Sequence, residues 1–476
     1  MPDKENMREL LKRQRESFDQ AGYPSLVTRI DRLDRLLTMI RKYDRQICET
    51  IALDFGSRPS ELSRLSEVFL TIELIKEAIE NVSRWMEPEQ RLAPSALQET
   101  GTSAEVRPMP KGVIGIIGPW NFPVHLILAP LVCVLAAGNR AMLKPSEITA
   151  NTAQLLDTMI REFFDPTEVT VVLGDAKVSE QFTQLPFDHI MFTGSSAVGR
   201  HVMRAAAENL TPVTLELGGK SPVVIDRDVD LPKVAARLMA GKLFNSGQVC
   251  VSPDYAFVPE EMVKPLLVEL EKATSAMYPT IADNPQYTSI VNENHFRRLQ
   301  SMIEDATEQG VEVIAFNPAS ESFDEAENRK MLPRVLLNPT EDSAVMQAEI
   351  FGPLIPIKSY THINEASEYI TSHERPLALY YFGDNEQHRA HLLSNVLCGG
   401  MAINDVVAQV TCAQLPFGGV GTSGMGRYHG IDGFREFSHL KAVYSQSPSE
   451  EIAGFMRPPY SDAMRSVLQQ QIAEEG

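Results

Sequence analysis

The sequence predicts an α/β protein with parallel sheets behind a helical N-terminal layer, and three observations lead there. After residue 106, short apolar runs suited to buried strands alternate with helix-length segments, the rhythm of a parallel sheet whose strands are joined by crossover helices. The first hundred residues instead carry apolar positions at intervals of three and four, the period of an amphipathic helix. At 476 residues, 43% hydrophobic and 22% charged, the chain can build more than one core and lacks the composition of a disordered protein.

Taken in order, Ile30, Leu33, Leu36, Ile40, Tyr43, Ile47 and Ile51 form one apolar stripe with charges between them. Leu62, Leu65, Val68, Ile72, Ile75, Ile79 and Val82 repeat it, and residues 55–59 (FGSRP) separate the two helical stretches. Both stripes read as packing surfaces. Residues 112–117 (GVIGII) make the first buried strand. The loop GPWNFP at 118–123 comes next, then an apolar helix closed by Gly138 and Asn139, a pair suited to the left-handed turn that ends helices. A strand at 140–143 runs into Lys144-Pro-Ser-Glu147. A helix at 150–163 and strands at 169–173 and 189–193 come after it, the last entering GSSAVG at 194–199 and another helix. Ligands of such sheets collect beyond the carboxyl ends of the strands, where these loops lie. A second α/β region begins after Leu215. It has a strand at 223–225, helical stretches at 231–244, 260–277 and 295–309, a polar surface loop at 320–329 and an irregular glycine-rich segment at 415–426.

The net charge is −19, which argues against a nucleic-acid partner or an anionic membrane, since both require a basic face. The five cysteines, Cys48, Cys133, Cys250, Cys398 and Cys412, are odd in number and form no C-x-x-C pair. That excludes a disulfide scaffold or zinc ribbon and fits a reducing, cytoplasmic setting. The N-terminal residues are charged without an apolar signal core, and the C-terminal ones are polar. The most apolar stretch, 124–137, contains His125 and Pro130 and falls short of the ~18–20 residues of a membrane span. No membrane anchor is expected. The histidines show no metal-ligand spacing, and His189 and His201 read as structural, so no metal is expected.

Several residues could carry chemistry. Gly194 and Gly199, between a strand and a helix, would let the backbone approach a phosphate at a helix N-terminus; a structural turn would use the same glycines. Lys144 and Glu147 end a neighbouring strand and could bind ribose hydroxyls, or be solvated surface charges. Cys250, in FNSGQVC, is either a nucleophile or an inert buried thiol. Glu216 stands between two leucines on an apolar strand. It is either paired with a basic group or raised in pKa so that it can act as a base. Asn121 could donate its amide to an oxyanion or close an Asx-turn.

The blocks PWNFP, LKPSE, FTGSSAVG, LELGGKSP, FNSGQVC, EIFGP and LPFGGVGTSGMGRYHG, in this order, resemble the aldehyde dehydrogenase superfamily from about Pro108 to Ala442. The cysteine block NSGQVCVSPD, Arg375-Pro-Leu-Ala-Leu-Tyr and the ending GMGRYHG look like its class 3 branch, within which the chain is most similar to the bacterial coniferyl aldehyde dehydrogenases. The resemblance implies the aldehyde dehydrogenase fold: a Rossmann-like cofactor domain, an α/β catalytic domain and a small β oligomerisation arm. It implies N-terminal helices at 1–100, cofactor binding at 101–215 with a bridging strand near 103–110, catalysis at 216–410, and a return to the cofactor domain with an oligomerisation strand at 411–476. It also implies NAD(P)-dependent oxidation of an aromatic or medium- to long-chain aldehyde to the acid. In the family pattern Cys250 matches the nucleophile, Glu216 the general base and Asn121 the oxyanion amide. Trp120, Lys144, Glu147, Gly194, Ser195, Gly199, Leu217, Glu349 and Phe351 match cofactor-binding positions. NAD is the cofactor implied, with NADP possible, because class 3 relatives with the same Glu147 motif often accept both. Ser196 stands where threonine is frequent, and Val249 where small or polar residues vary. A homodimer through 103–110 and 441–446 is implied. A CoA-acylating enzyme is the competing reading, which Glu216 opposes; a catalytically retired binding protein is another, which the presence of Cys250, Glu216 and Asn121 opposes.

Overall fold

A computed structural model describes residues 4–455 and 457–473. The N-terminal layer comprises helices Lys4–Ala21, Leu26–Lys42 and Asp44–Phe55, and then a helical run from Ser60 to Trp85. The first stripe is thus shared by two helices. Tyr43 interrupts it without turning it: the Tyr43 N–H still donates to Met39 (3.1 Å) and its carbonyl still accepts from Ile47 (2.9 Å). The second stripe departs further from expectation. Residues Arg64–Phe69 form a π-helical turn, which inserts a residue into the ladder and rotates the next turns of the helix. Leu65, expected in the packing face, is 49% exposed, and Glu67 is wholly buried instead.

Beyond this layer the chain builds three sheets. The six-stranded sheet runs in space Gly424–Met425, Val213–Glu216, His189–Thr193, Val113–Ile117, Arg140–Lys144, Val169–Val171. All its pairings are parallel except that of Gly424–Met425. The strand order reverses between Val113–Ile117 and His189–Thr193, and the crevice beyond such a reversal is where open α/β sheets bind ligands. The seven-stranded sheet runs Glu312–Ala315, Arg334–Leu337, Leu354–Tyr360, Tyr255–Pro259, Pro222–Ile225, Ala378–Phe382, Gly400–Ile403. It is parallel apart from Glu312–Ala315. Glu89–Arg91, Ser103–Pro110 and Ser438–Ser445 make a small antiparallel sheet.

The apolar runs read from the sequence become central strands buried on both faces, as in Val113–Ile117 and His189–Thr193, because helices cover both sides of a parallel sheet. Helix His125–Ala136 is buried almost all round, since it lies between the N-terminal helices and the six-stranded sheet. Among the described residues no helix is long and apolar enough to cross a membrane.

Candidate active site

The main cleft lies between the two large sheets. The six-stranded sheet contributes Asn121, Thr193 to Ser195 and Glu216 to Gly218 from the carboxyl ends of its strands. Cys250 comes from the opposite side. It lies after helix Leu231–Leu243 and before strand Tyr255–Pro259, so it sits at an amino end of the seven-stranded sheet. The carboxyl-end rule therefore locates only half of the site.

A strained turn aims Cys250. Asn245, Ser246 and Gly247 all have positive φ (50°, 53° and 77°), a conformation that costs a non-glycine residue roughly 1–2 kcal/mol. Side-chain bonds hold it. Asn245 Nδ2 donates to the Asn121 carbonyl (3.3 Å), and Gln248 Nε2 donates to Asn245 O (2.9 Å) and Ser289 O (3.1 Å). Gly247 is required, because a Cβ there would lie 2.2 Å from the Gly352 carbonyl oxygen. Burial, then the charges of Glu349 and Glu216, push the Cys250 thiol up to about 12, so the thiol rests protonated at neutral pH.

Glu216 ends its strand and is 2% exposed. Its backbone is held on both sides: Gly194 N–H donates to its carbonyl (3.0 Å), and Gly424 pairs with it antiparallel. Neither carboxylate oxygen has a hydrogen-bond partner. Burial, with the Glu436 charge as a lesser cause, holds its pKa well above the usual carboxylate range. Of the two alternatives open to this residue, pairing with a basic group is not seen among the described residues, and the carboxyl stands unpaired.

Asn121 is buried, and its Nδ2 donates to the Gln248 carbonyl (3.1 Å). Arg58 fixes this loop by donating to Asn121 O (2.6 Å) and to Glu67 (2.9 Å), both charged side chains being fully buried. Glu67 in turn accepts from the backbone N–H groups of Val124 (3.1 Å) and His125 (2.8 Å). Sequence reasoning misses this pair: Arg58 falls in the separator, and the π turn hides Glu67 from any three-and-four count.

A groove beyond the reversal point carries the expected cofactor residues Trp120, Lys144, Glu147, Gly194 and Ser195. Lys144 is buried, not solvated. Its Nζ donates to the Pro145 carbonyl (2.7 Å) and lies 4.0 Å from Glu147, which is 42% exposed at the rim. Ser195 caps helix Ser196–Ala207, accepting from Val198 N–H (3.4 Å). A Cβ at Gly199 would lie 2.7 Å from Leu217, so Leu217 acts here by packing against that helix. The Thr193 hydroxyl is buried without a partner. Bare backbone at a helix start, an idle hydroxyl and a buried ammonium fit a phosphate- and ribose-bearing group.

Glu349 and Phe351 line the cleft that holds Cys250. The Glu349 carboxyl lies against Gly218, where a Cβ would stand 2.0 Å from Oε2. Burial, then repulsion from Asp254, raises it to about 8. Arg298 holds the segment by donating to the Glu349 carbonyl (3.1 Å). Trp120 meets Phe351 edge-on (5.4 Å) and packs on His295 (4.7 Å). From the sequence, His295 reads only as a helix start.

A family model described as the aldehyde dehydrogenase family matches residues 2–443. The chain is 46% identical over 469 residues to a probable coniferyl aldehyde dehydrogenase of Caulobacter vibrioides, covering 98% of this chain and 96% of that protein. It is 45% identical over 464 residues to a coniferyl aldehyde dehydrogenase of Pseudomonas sp., with the same two coverages of 98% and 96%. The solved structure of substrate-bound Staphylococcus aureus AldH matches with a TM-score of 0.91 at 34% identity, over 97% of this chain and 99% of that one.

Proposed function

This chain belongs to the aldehyde dehydrogenase family and is an oxidoreductase acting on aldehydes, and from that premise we propose that it oxidises aromatic aldehydes of the coniferyl type to acids through a covalent Cys250 intermediate. The observation that carries the mechanism is one cleft shared by the Cys250 thiol, the Asn121 amide and an unpartnered Glu216. Cys250, once its thiol proton has passed to solvent, attacks the aldehyde carbon and forms a thiohemiacetal. The Asn121 amide, aided by the backbone N–H of Cys250, steadies the oxygen that gains charge. A nicotinamide dinucleotide, when held in the groove, would supply the hydride acceptor. Lys144 and Glu147 would hold its adenosine ribose, and Glu349 with Phe351 its nicotinamide ribose. Loss of hydride leaves the acyl group on Cys250 as a thioester. Glu216, in its ionised form, then takes a proton from water, the hydroxide adds to the thioester carbon, and the acid leaves as the proton passes from Glu216 to the Cys250 sulfur.

The coniferyl-type substrate is supported by the names of the 46% and 45% identical relatives and by an apolar pocket beside Cys250 lined with Phe122, Phe244 and Phe417. NAD is the preferred cofactor in this reading, because Glu147 at the rim would repel a ribose 2′-phosphate. The proposed division places cofactor binding in 101–215, catalysis in 216–410, and dimer contacts in 103–110 and 441–446, in a cytoplasmic enzyme. A panel of aliphatic, benzylic and cinnamyl aldehydes with NAD and NADP, read at the reduced-cofactor absorbance, tests it. The expected result is fastest turnover of cinnamyl aldehydes with NAD and no need for CoA; a CoA requirement would overturn the hydrolytic step.

A further inference from the structure

The apolar pocket beside the cleft shares Cys250 with it as a common wall residue. Phe122, Phe244, Val249, Val410 and Phe417 give this pocket a hydrocarbon lining, which His125 and His429, with Ser66 and Tyr428, interrupt. His429 is 3% exposed, and neither of its ring nitrogens has a hydrogen-bond partner. It stacks on Phe417 (5.7 Å between centroids, 25°) and meets Tyr428 edge-on (4.5 Å, 74°), so its ring is packed in place while its polar edge stays idle. Its backbone sits at φ 80°, ψ 143°, a region that favours glycine and that persists in other residues where the surroundings enforce it.

His125 is committed on one edge only. Thr71 Oγ1 donates to the Glu67 carbonyl (2.7 Å), so at 2.8 Å from His125 Nδ1 the hydroxyl is the acceptor, and Nδ1 carries the hydrogen. Nε2 is then a bare acceptor. Burial lowers His125 to about 4, and burial with the neighbouring His125 lowers His429 to about 3, so both rings are neutral at pH 7. Buried donors and acceptors are almost always satisfied in folded proteins, and a polar edge left open in a hydrocarbon pocket calls for a ligand that is mostly apolar with one hydrogen-bonding group.

We propose that His429, with His125, recognises the ring hydroxyl of a phenolic aldehyde whose carbonyl reaches Cys250. The aromatic ring lies among the phenylalanines, and the hydroxyl bonds a ring nitrogen of His429 that the fold leaves bare, with His125 Nε2 as the second polar group. This rests on the aldehyde oxidation proposed above and specifies which aldehydes are preferred.

The test compares kcat/KM for 4-hydroxycinnamaldehyde and for cinnamaldehyde, which differ only in the hydroxyl. The wild-type enzyme is expected to favour the hydroxylated substrate by about tenfold or more, since a site built to bond a hydroxyl discriminates against its absence. His429→Phe is expected to erase that preference, and His429→Gln, which can still bond the hydroxyl, to keep part of it. A ratio of substrates is read so that a general loss of stability does not mimic the effect. Should His429→Phe fail to fold, the wild-type ratio and His125→Leu carry the test, the latter expected to narrow the preference. Oxidation of both substrates by the wild type without preference, or an unchanged preference in His429→Phe, overturns this inference alone. No reduced cofactor from any aldehyde would bring down the proposed function, and this inference with it.

Discussion

Cys250 and Glu216 share surroundings that raise the pKa of both, a buried cleft that disfavours charge. Alkylation by iodoacetamide, which reads the thiolate, should therefore be slow at pH 7 in the free enzyme and climb without a plateau up to pH 10. A plateau near pH 8 would contradict the environment described. Cys250→Ala should form no reduced cofactor above background. Glu216→Gln should keep the first burst of reduced cofactor while steady turnover drops by about 10²–10⁴-fold, the usual contribution of a positioned base; full steady turnover would remove Glu216 from the mechanism. Glu216 also links stability to pH. An unfolded glutamate ionises near pH 4.3, whereas the folded one holds its proton to higher pH, so the folded state binds more protons and stability falls as pH rises through that window. Glu216→Gln should lose less thermal stability between pH 5 and 8 than the wild type does. At this scale residue type was informative: an acid between leucines and a cysteine among small polar neighbours announce themselves in the chain. What they touch did not, because the absence of a partner for Glu216 depends on Glu436 and Gly424, more than two hundred positions away.

Elements place these groups by departing from regularity. The π turn at Arg64–Phe69 turns Glu67 inward to meet Arg58, and that pair fixes the loop bearing Asn121. Arg58→Ala would leave a buried carboxylate without its counter-charge, and chemical denaturation should show a loss of about 3–5 kcal/mol, the range for breaking such a pair. A loss below about 1 kcal/mol, the value of a surface pair, would refute its structural role. The left-handed turn at 245–247 acts similarly on Cys250. The sequence was legible wherever a period ran undisturbed: strand His189–Thr193 and helix Ala150–Phe163 lie at the residues read from it. It was opaque where one residue breaks the period, since neither a π turn nor a left-handed asparagine and serine leaves a compositional mark.

In the molecule as a whole, the strong negative charge is compatible with the groove proposed for an anionic cofactor, because the donors there are local: backbone N–H groups at the start of Ser196–Ala207 and the buried Lys144. The small antiparallel sheet is poorly covered, with Leu440 48% and Tyr444 54% exposed on its strand Ser438–Ser445. If this is the proposed arm, Leu440→Asp combined with Tyr444→Asp should shift sedimentation from dimer to monomer, since burying two unpaired carboxylates would cost more than the apolar contacts return; an unchanged dimer would place the interface elsewhere. The alternation of strands and helices made the architecture legible, but the meeting of the two sheets was not, because a cysteine at the amino end of a strand contradicts the rule that places ligands at carboxyl ends.

The strand that pins Glu216 has a consequence for how the protein comes into being. Gly424 and Met425 supply the antiparallel edge beside Glu216 and Leu215, yet Gly424 follows Cys250 by 424 − 250 = 174 residues. A ribosome adding roughly 5–20 residues per second exposes Cys250 well before it releases this edge. The growing chain thus carries Cys250 for roughly 9–35 s before the segment that pairs with Glu216 has been added.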